Sequence, residues 1–459
     1  MNTRKISWSL LSILIVSALL LSACQPATAP TVAPTAVPAP TQPPAVEPTK
    51  APEVAPTQPP ATAEPTKAPE KPVAKGELTV GLITDDSGAL AIYGPMLERG
   101  WELGLDYATK GTGIVCDQQI KTVIKDTASD PEKGVTLARE ALEKDGAKVL
   151  VGSPSSSVAL AVSGVASATN TIYIGAPAAT PDLTGKAFNP VTFRAGRTSV
   201  QDALTMGAAL VGLGDTFVQI APDNAFGRGS AAGFYNVIKA AGGTFNTNDT
   251  TEGAGTIFIP LETTDFTPYL NQVLDADAKV LVVTWAGTGF VPLFQQMQQL
   301  GIMDKMVVGT GMGDNQTMAA GYADAVGSVG VSVYHYSLFD NEVNNWLVEQ
   351  HQAKYNTPPD LFTESGFNAA IMLVQALEAT KCDTSALAMI KALEGMKFNG
   401  PKGEYTVRPE DHVVLQPMTL VKLNNTTDPG FKFFELVKAF KPEETAPPCA
   451  VPADQGRCK

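Results

Sequence analysis

Apolar and polar residues alternate over residues 78–84, a two-residue period that predicts a strand. The period lengthens to that of a helix over 93–107, returns to a strand over 119–126, and lengthens again over 131–145. A strand at 148–152, a helix at 157–168 and a strand at 172–175 follow. The pattern then restarts. Helices are predicted at 201–213, 229–241, 267–274 and 291–301, with strands at 216–221, 280–284 and 306–309. Short apolar strands separated by helices of this length imply a parallel sheet covered on both faces. Two such series predict an α/β protein of two doubly wound lobes. Ligands of these sheets sit beyond the carboxyl ends of the strands. Two lobes with facing strand ends make a cleft whose closure buries a small molecule.

Ahead of the first strand the pattern changes in kind. Arg4 and Lys5 precede an apolar run from Leu10 to Leu21, which reads as a secretory signal over 1–23. The run is shorter than the ~20 apolar residues that a membrane span needs. Leu21-Ser22-Ala23-Cys24 resembles the bacterial lipobox, which implies that Cys24 carries diacylglycerol and becomes the mature N-terminus. An uncleaved anchor and plain secretion are the alternatives. Lipid on Cys24 would hold the protein outside the cytoplasm on a cell membrane or outer membrane. Residues 24–75 are then a linker of Pro, Ala, Thr, Val and Glu, too poor in large apolar residues to bury a core and therefore expected to be disordered. Thr-Gln-Pro-Pro occurs at 41–44 and 57–60, and Glu-Pro-Thr-Lys-Ala-Pro-Glu at 47–53 and 64–70, so the spacer is internally repeated. In extended polyproline II it would reach on the order of 150 Å.

Composition narrows the chemistry. A net charge of −13 argues against nucleic acid as a partner. Of five cysteines, Cys116, Cys382, Cys449 and Cys458 remain after Cys24 and allow three pairings. The favoured one closes a short loop with Cys449–Cys458 and a long one with Cys116–Cys382. No Cys or His lies at metal-ligand spacing, so neither a metal nor another cofactor is expected. His335, His351 and His412 are the only histidines, and no Gly-x-Ser-x-Gly elbow or Ser-x-x-Lys pair accompanies them in the domain. The glycines of 309–313 are not followed by Gly-Lys-Ser/Thr, so they form no phosphate loop. Asp85-Asp86 reads as loop capping. No enzymatic activity is expected.

Several loops carry a more specific pattern. They are Gly81-Leu82-Ile83-Thr84 through Ser87–Gly94, Asp126-Thr127-Ala128-Ser129-Asp130-Pro131, Val151–Ser157, Ala176–Thr180 with Asp182-Leu183-Thr184, and Phe193-Arg194 leading to Asn224–Gly229. In this order, over about 77–437, the chain resembles the type I periplasmic binding proteins. Within them it is most similar to the branched-chain amino acid (Leu/Ile/Val) and amide substrate-binding proteins of ABC importers. The resemblance implies a Venus-flytrap of two lobes joined by a hinge that the chain crosses three times, near 194–199, 325–333 and 400–408. Lobe one would combine about 77–196 and 330–402, and lobe two about 197–329 and 403–440. Cys116 and Cys382 then share a lobe. The Pro-rich tail, 441–459, is assigned no structure.

By the same resemblance, Tyr93, Ser156, Ala178 and Thr180 match positions that hold a ligand's polar end. Phe226 matches an aromatic that closes from the second lobe, and Phe362 an apolar wall. The residues themselves permit this. Ser155 and Ser156 lie where a strand enters a helix, whose free amides attract an anion, although such residues also simply cap helices. The Glu that usually meets an amino acid's ammonium falls on Gly311, with Asp314 nearby to replace it, and Trp285 adds a large ring at a strand end. Branched-chain or other amino acids, aromatic acids, amides and small carboxylates all fit that description. The implied partners are a small molecule, an ABC permease and a membrane reached through the lipid, with the protein itself a monomer. A receptor that presents its closed form to a membrane kinase or chemoreceptor is the alternative.

Overall fold

A computed structural model describes residues 73–246 and 253–458. The expected signal, Cys24 and residues 24–72 of the expected linker lie outside the described residues. The first lobe is laid down by β1 (Gly76–Thr84), α1 (Gly94–Ala108), β2 (Ile114–Val115), β3 (Gln118–Asp126), α2 (Pro131–Glu143), β4 (Val149–Gly152), α3 (Ser156–Thr169), β5 (Ile172–Gly175) and β6 (Thr192–Arg194). Its sheet runs β2-β3-β1-β4-β5-β6 and is parallel except for β2. Every residue of β4 and β5 is buried, as expected of central strands covered by helices on both faces. Several helix starts are set by side-chain caps. Asp130 accepts from the amides of Glu132 and Lys133 ahead of α2, with Pro131 in the first turn.

The second lobe contains α4 (Ser199–Val211), β7 (Thr216–Pro222), α5 (Ala225–Ala240), β8 (Thr244–Phe245), β9 (Thr256–Ile259), α6 (Thr267–Asp275), β10 (Val280–Val283), α7 (Phe290–Gln299), α8 (Ile302–Lys305), β11 (Val307–Thr310) and α9 (Asn315–Gly321). Its parallel sheet runs β11-β10-β7-β8, with β9 also paired to β7. Val218, Ile220, Leu281 and Val283 face one core, while Phe217, Val280 and Val282 face the other. That alternation is the two-residue period of a strand. α5 begins at Ala225, a turn before the expected 229, because the Asn224 side chain caps the Gly227 amide at 3.0 Å. The Ala-Phe-Gly-Arg of that first turn carries no apolar period.

The rest of the chain serves both lobes: β12 (Val329–Ser332), α10 (Glu342–Tyr355), α11 (Thr363–Thr380), α12 (Ala386–Leu393), β13 (Lys397–Gly400), β14 (Gly403–Val407), β15 (Val414–Leu415), β16 (Met418–Leu423) and β17 (Phe434–Phe440). Leu347, Phe367, Phe398, Tyr405 and Val414 join the first core. β12, β16 and β17 form an antiparallel sheet whose Val331, Met418, Val421 and Leu423 join the second-lobe cores. The chain therefore changes lobes between β6 and α4, between β12 and α10, and between β15 and β16. The third change lies later than 400–408. β13 and β14 are a tight hairpin, paired from Lys397↔Thr406 to Gly400↔Gly403, and its two strands cannot part into different lobes.

The tail is ordered, contrary to the sequence reading. After β17 it returns to the first lobe, where Arg408 Nη1 donates to the Pro447 carbonyl at 2.8 Å. Arg457 donates to the Glu410 carbonyl at 2.8 Å and to Glu394 at 2.6 Å. This is a fourth passage between the lobes. Cys116 is joined to Cys382 across a Cα–Cα distance of 6.1 Å, and Cys449 to Cys458 across 5.7 Å. Among the described residues no helix is long and apolar enough to cross a membrane, and no group of three or more His, Cys, Asp or Glu side chains is placed to hold a metal.

Candidate ligand-binding cleft

Parallel sheets put their loops at the carboxyl ends of the strands, and here the loops of the two lobes meet. The Gly287 amide, after β10, donates to the Tyr93 hydroxyl at 2.9 Å. The Thr288 amide donates to the Ala89 carbonyl at 3.1 Å. The Asn315 amide, opening α9, donates to both carboxylate oxygens of Asp360 at 3.1 and 3.2 Å. Between these bridges lies a cavity of about 80 Å³. Ligand pockets commonly span roughly 300–1,000 Å³, so entry of a solute requires the lobes to part.

Five of the nine residues singled out from the sequence line this cavity: Tyr93, Phe226, Trp285, Asp314 and Phe362. Tyr93 and Phe362 meet edge to face with centroids 4.7 Å apart. Burial raises the pKa of the Tyr93 hydroxyl; the Asp314 charge adds to the shift and Arg197 opposes it. The Trp285 ring packs edge-on against Phe266 at 5.2 Å within the second-lobe core.

Ser155, Ser156, Ala178 and Thr180 do not line the cavity. Their polar groups are engaged inside the first lobe. Ser155 caps α3 through the Val158 amide. The Ser156 hydroxyl accepts from the Ala179 and Thr180 amides, each at 3.2 Å. The Ala178 amide donates to the Ser153 carbonyl at 3.2 Å, and the Thr180 hydroxyl accepts from the Asp182 amide at 3.3 Å. Asp85, read as loop capping, organises these loops. Its buried carboxylate accepts from the Ser129 amide at 2.7 Å, the Ser155 amide at 2.9 Å, the Ser153 hydroxyl at 3.2 Å and the Thr127 hydroxyl. Burial pushes its pKa up, and these donors oppose the shift.

Among the cavity residues that the sequence reading missed are Arg197, Asp202 and Ser230. Arg197 Nη2 pairs with Asp202 at 3.2 Å, and its guanidinium lies 5.5 Å from the centroid of the Phe362 ring. Burial raises the Asp202 pKa, and Arg197 opposes the rise. An Arg and an Asp five residues apart at the first lobe crossing were the available signal. Three lining atoms find no hydrogen-bond partner among the described residues: Ser230 Oγ, Trp285 Nε1 and Asp314 Oδ2. Their residues are 2%, 7% and 3% exposed. A buried polar group without a partner costs roughly 1–3 kcal/mol, so a solute that satisfies these atoms gains by closing the cleft over itself.

Comparison with known proteins bears on the fold and the family. A sequence profile described as "Periplasmic binding protein" matches residues 77–428. The chain is 26% identical over 357 residues to the Leu/Ile/Val-binding protein BraC3 of Rhizobium johnstonii, covering 76% of this chain and 93% of that one. It is 35% identical to the crystal structure of an ABC-type branched-chain amino acid transporter protein from Rhodopseudomonas palustris, with a TM-score of 0.68 over 82% of this chain and 100% of the other. A solute-binding protein of Rhodopseudomonas palustris BisB5, solved with 3,4-dihydroxybenzoic acid, shares the fold at 22% identity and a TM-score of 0.69, over 80% and 97% of the two chains. The profile spans most of the chain and the two-lobed α/β fold is common to these relatives: the protein belongs to the periplasmic binding protein family, extracytoplasmic proteins that bind small solutes.

Proposed function

We propose that this protein is the lipid-anchored solute receptor of an ABC importer, capturing a small carboxylate-bearing solute such as an amino acid and presenting the closed form to the permease. The observation that carries the reading is the cavity between the lobes, roofed by the Tyr93–Gly287 bridge and holding three buried polar atoms in search of partners. The relatives named for branched-chain amino acids and for ABC transport support the substrate and the partner. Solute binding shifts the population from open to closed by its differential affinity for the two states. The Leu-Ser-Ala-Cys sequence at 21–24 supports tethering through Cys24.

A thermal-shift screen of the purified protein, freed of carried-over solute, tests the reading against amino acids, amides, aromatic acids and sugars. A ligand that binds only the folded state raises the melting temperature by mass action. A dose-dependent rise with an amino acid or small carboxylate is expected, and no rise with any of the four classes overturns it. For the anchor, Cys24→Ala is expected to move the protein from the membrane to the soluble fraction. Persistent membrane partition would replace lipid attachment with an uncleaved anchor.

A further inference from the structure

We propose that Arg197 receives the solute's carboxylate, in place of the loops that follow β4 and β5. The inference rests on the cleft being the solute site and adds which side of it reads the anion. Four backbone donors of those first-lobe loops are already engaged. The Ser155 amide, which opens toward the α3 N-terminus, already donates to Asp85 at 2.9 Å. The amides of Ala178, Ala179 and Thr180 donate to Ser153 and Ser156. The chain's own Asp85 carboxylate thus sits where these loops converge and repels a second anion.

Arg197 is placed differently. It lines the cavity and is 6% exposed. Nε and Nη2 hold Asp202 at 3.3 and 3.2 Å, and Nη1 donates to the Pro177 carbonyl at 3.3 Å. A guanidinium has five N–H donors in a rigid fork, so two remain for a ligand. The clasp by Asp202 and the Phe362 ring beside it fix the fork before a solute arrives, which lowers the ordering cost of binding. Asp314 completes the polarity of the cavity. Its Oδ1 caps α9 through the Thr317 amide at 3.0 Å, leaving Oδ2 for an N–H donor. The solute therefore carries a carboxylate and, apart from it, an ammonium or amide N–H.

Titration calorimetry with L-leucine against leucinamide, and benzoate against benzamide, tests the assignment. The unaltered protein is expected to prefer the carboxylate member of a pair at least about tenfold, the scale of one charge-assisted contact. Arg197→Gln is expected to lose that preference while binding the amide within about threefold of the parent. Ser156→Ala and Thr180→Ala are expected to keep it. Because Arg197→Gln strands Asp202, the Arg197→Gln/Asp202→Asn double variant is measured alongside it, with melting curves to verify folding. A preference retained in both Arg197 variants, or lost in Ser156→Ala or Thr180→Ala, overturns the assignment and returns the carboxylate to the first-lobe loops. An unaltered protein that binds none of the four probes, nor any carboxylate in the thermal screen, overturns the solute-receptor reading itself.

Discussion

Asp360 shows how one residue couples the lobes to solution conditions. Its carboxylate bridges from the loop before α11 to the Asn315 amide, and it also accepts from the Leu361 amide at 2.7 Å. Burial and then the Asp314 charge push its pKa up to about 7. The folded chain thus holds a proton there that an unfolded chain, titrating near 3.8, has released. The stability this group contributes is full below 3.8 and is lost as pH rises through about 7. Asp360→Asn, permanently neutral, is expected to melt above the parent at pH 8 and to converge with it by pH 4. Thermal melts of both proteins across that range check this, and comparison with the parent cancels His335, whose pKa burial holds near about 4. A constant difference at every pH would mean that Asp360 titrates as an ordinary surface carboxylate. At this same scale the cleft was partly legible in the sequence. Tyr93 and Phe362 immediately precede helices and Phe226 lies in the first turn of one, and large residues at such places are a signal that survives without coordinates. The engagement of Ser155, Ser156 and Thr180 was not legible, because their partners are chosen by packing among separate loops.

Among the elements, α1 and α11 pack with no room for a side chain at their crossing. A Cβ on Gly100 would meet the Thr363 carbonyl, and one on Gly366 would meet the Leu97 carbonyl. The two backbones approach so closely that neither residue tolerates a side chain. α11 is buried along nearly its whole length, from Thr363 to Leu377, so it has no room to move away. Gly366→Ala is expected to destabilise the protein by about 1–3 kcal/mol, the usual cost of overpacking a filled core. Urea denaturation measures it, and an unchanged midpoint would show that the helices slide apart freely. Strands β1, β3, β4, β5, β7, β10 and β11 were visible as periods because each has one or two faces against a core, whereas β2, β6, β8 and β9 were not read as strands. Helix starts were less visible, as α5 shows, because a single cap such as Asn224 sets them.

At the scale of the whole molecule, the tail adds a strap to a hinge that already has three connections. It leaves β17 in the second lobe and is pinned to the first through Arg408 and Arg457, with the Cys449–Cys458 bond closing the tail on itself. Removal of residues 441–459 is expected to lower stability by at least about 1.5 kcal/mol, since hydrogen bonds to charged groups contribute about 1.5–3 kcal/mol each. The truncated protein is also expected to sample a more open form, seen as a larger radius of gyration in solution scattering without solute. Unchanged stability and dimensions would reduce the tail to a passive covering.

The sequence by itself determined the class of fold, because periodicity is a local property that every residue reports. The resemblance it carries led to Tyr93, Phe226 and Phe362, which line the cavity between the lobes. Only the tertiary structure decided where the chain changes lobes for the third time, since that depends on β14 pairing with β13 rather than on its own composition. Likewise, only packing decided that Asp85 occupies the first-lobe donors and that Arg197 stands clasped beside the cavity. A hydrogen bond between residues separated by 70 positions, such as Ser155 to Asp85, leaves no period in the chain and exists only once the strands that carry its ends lie side by side.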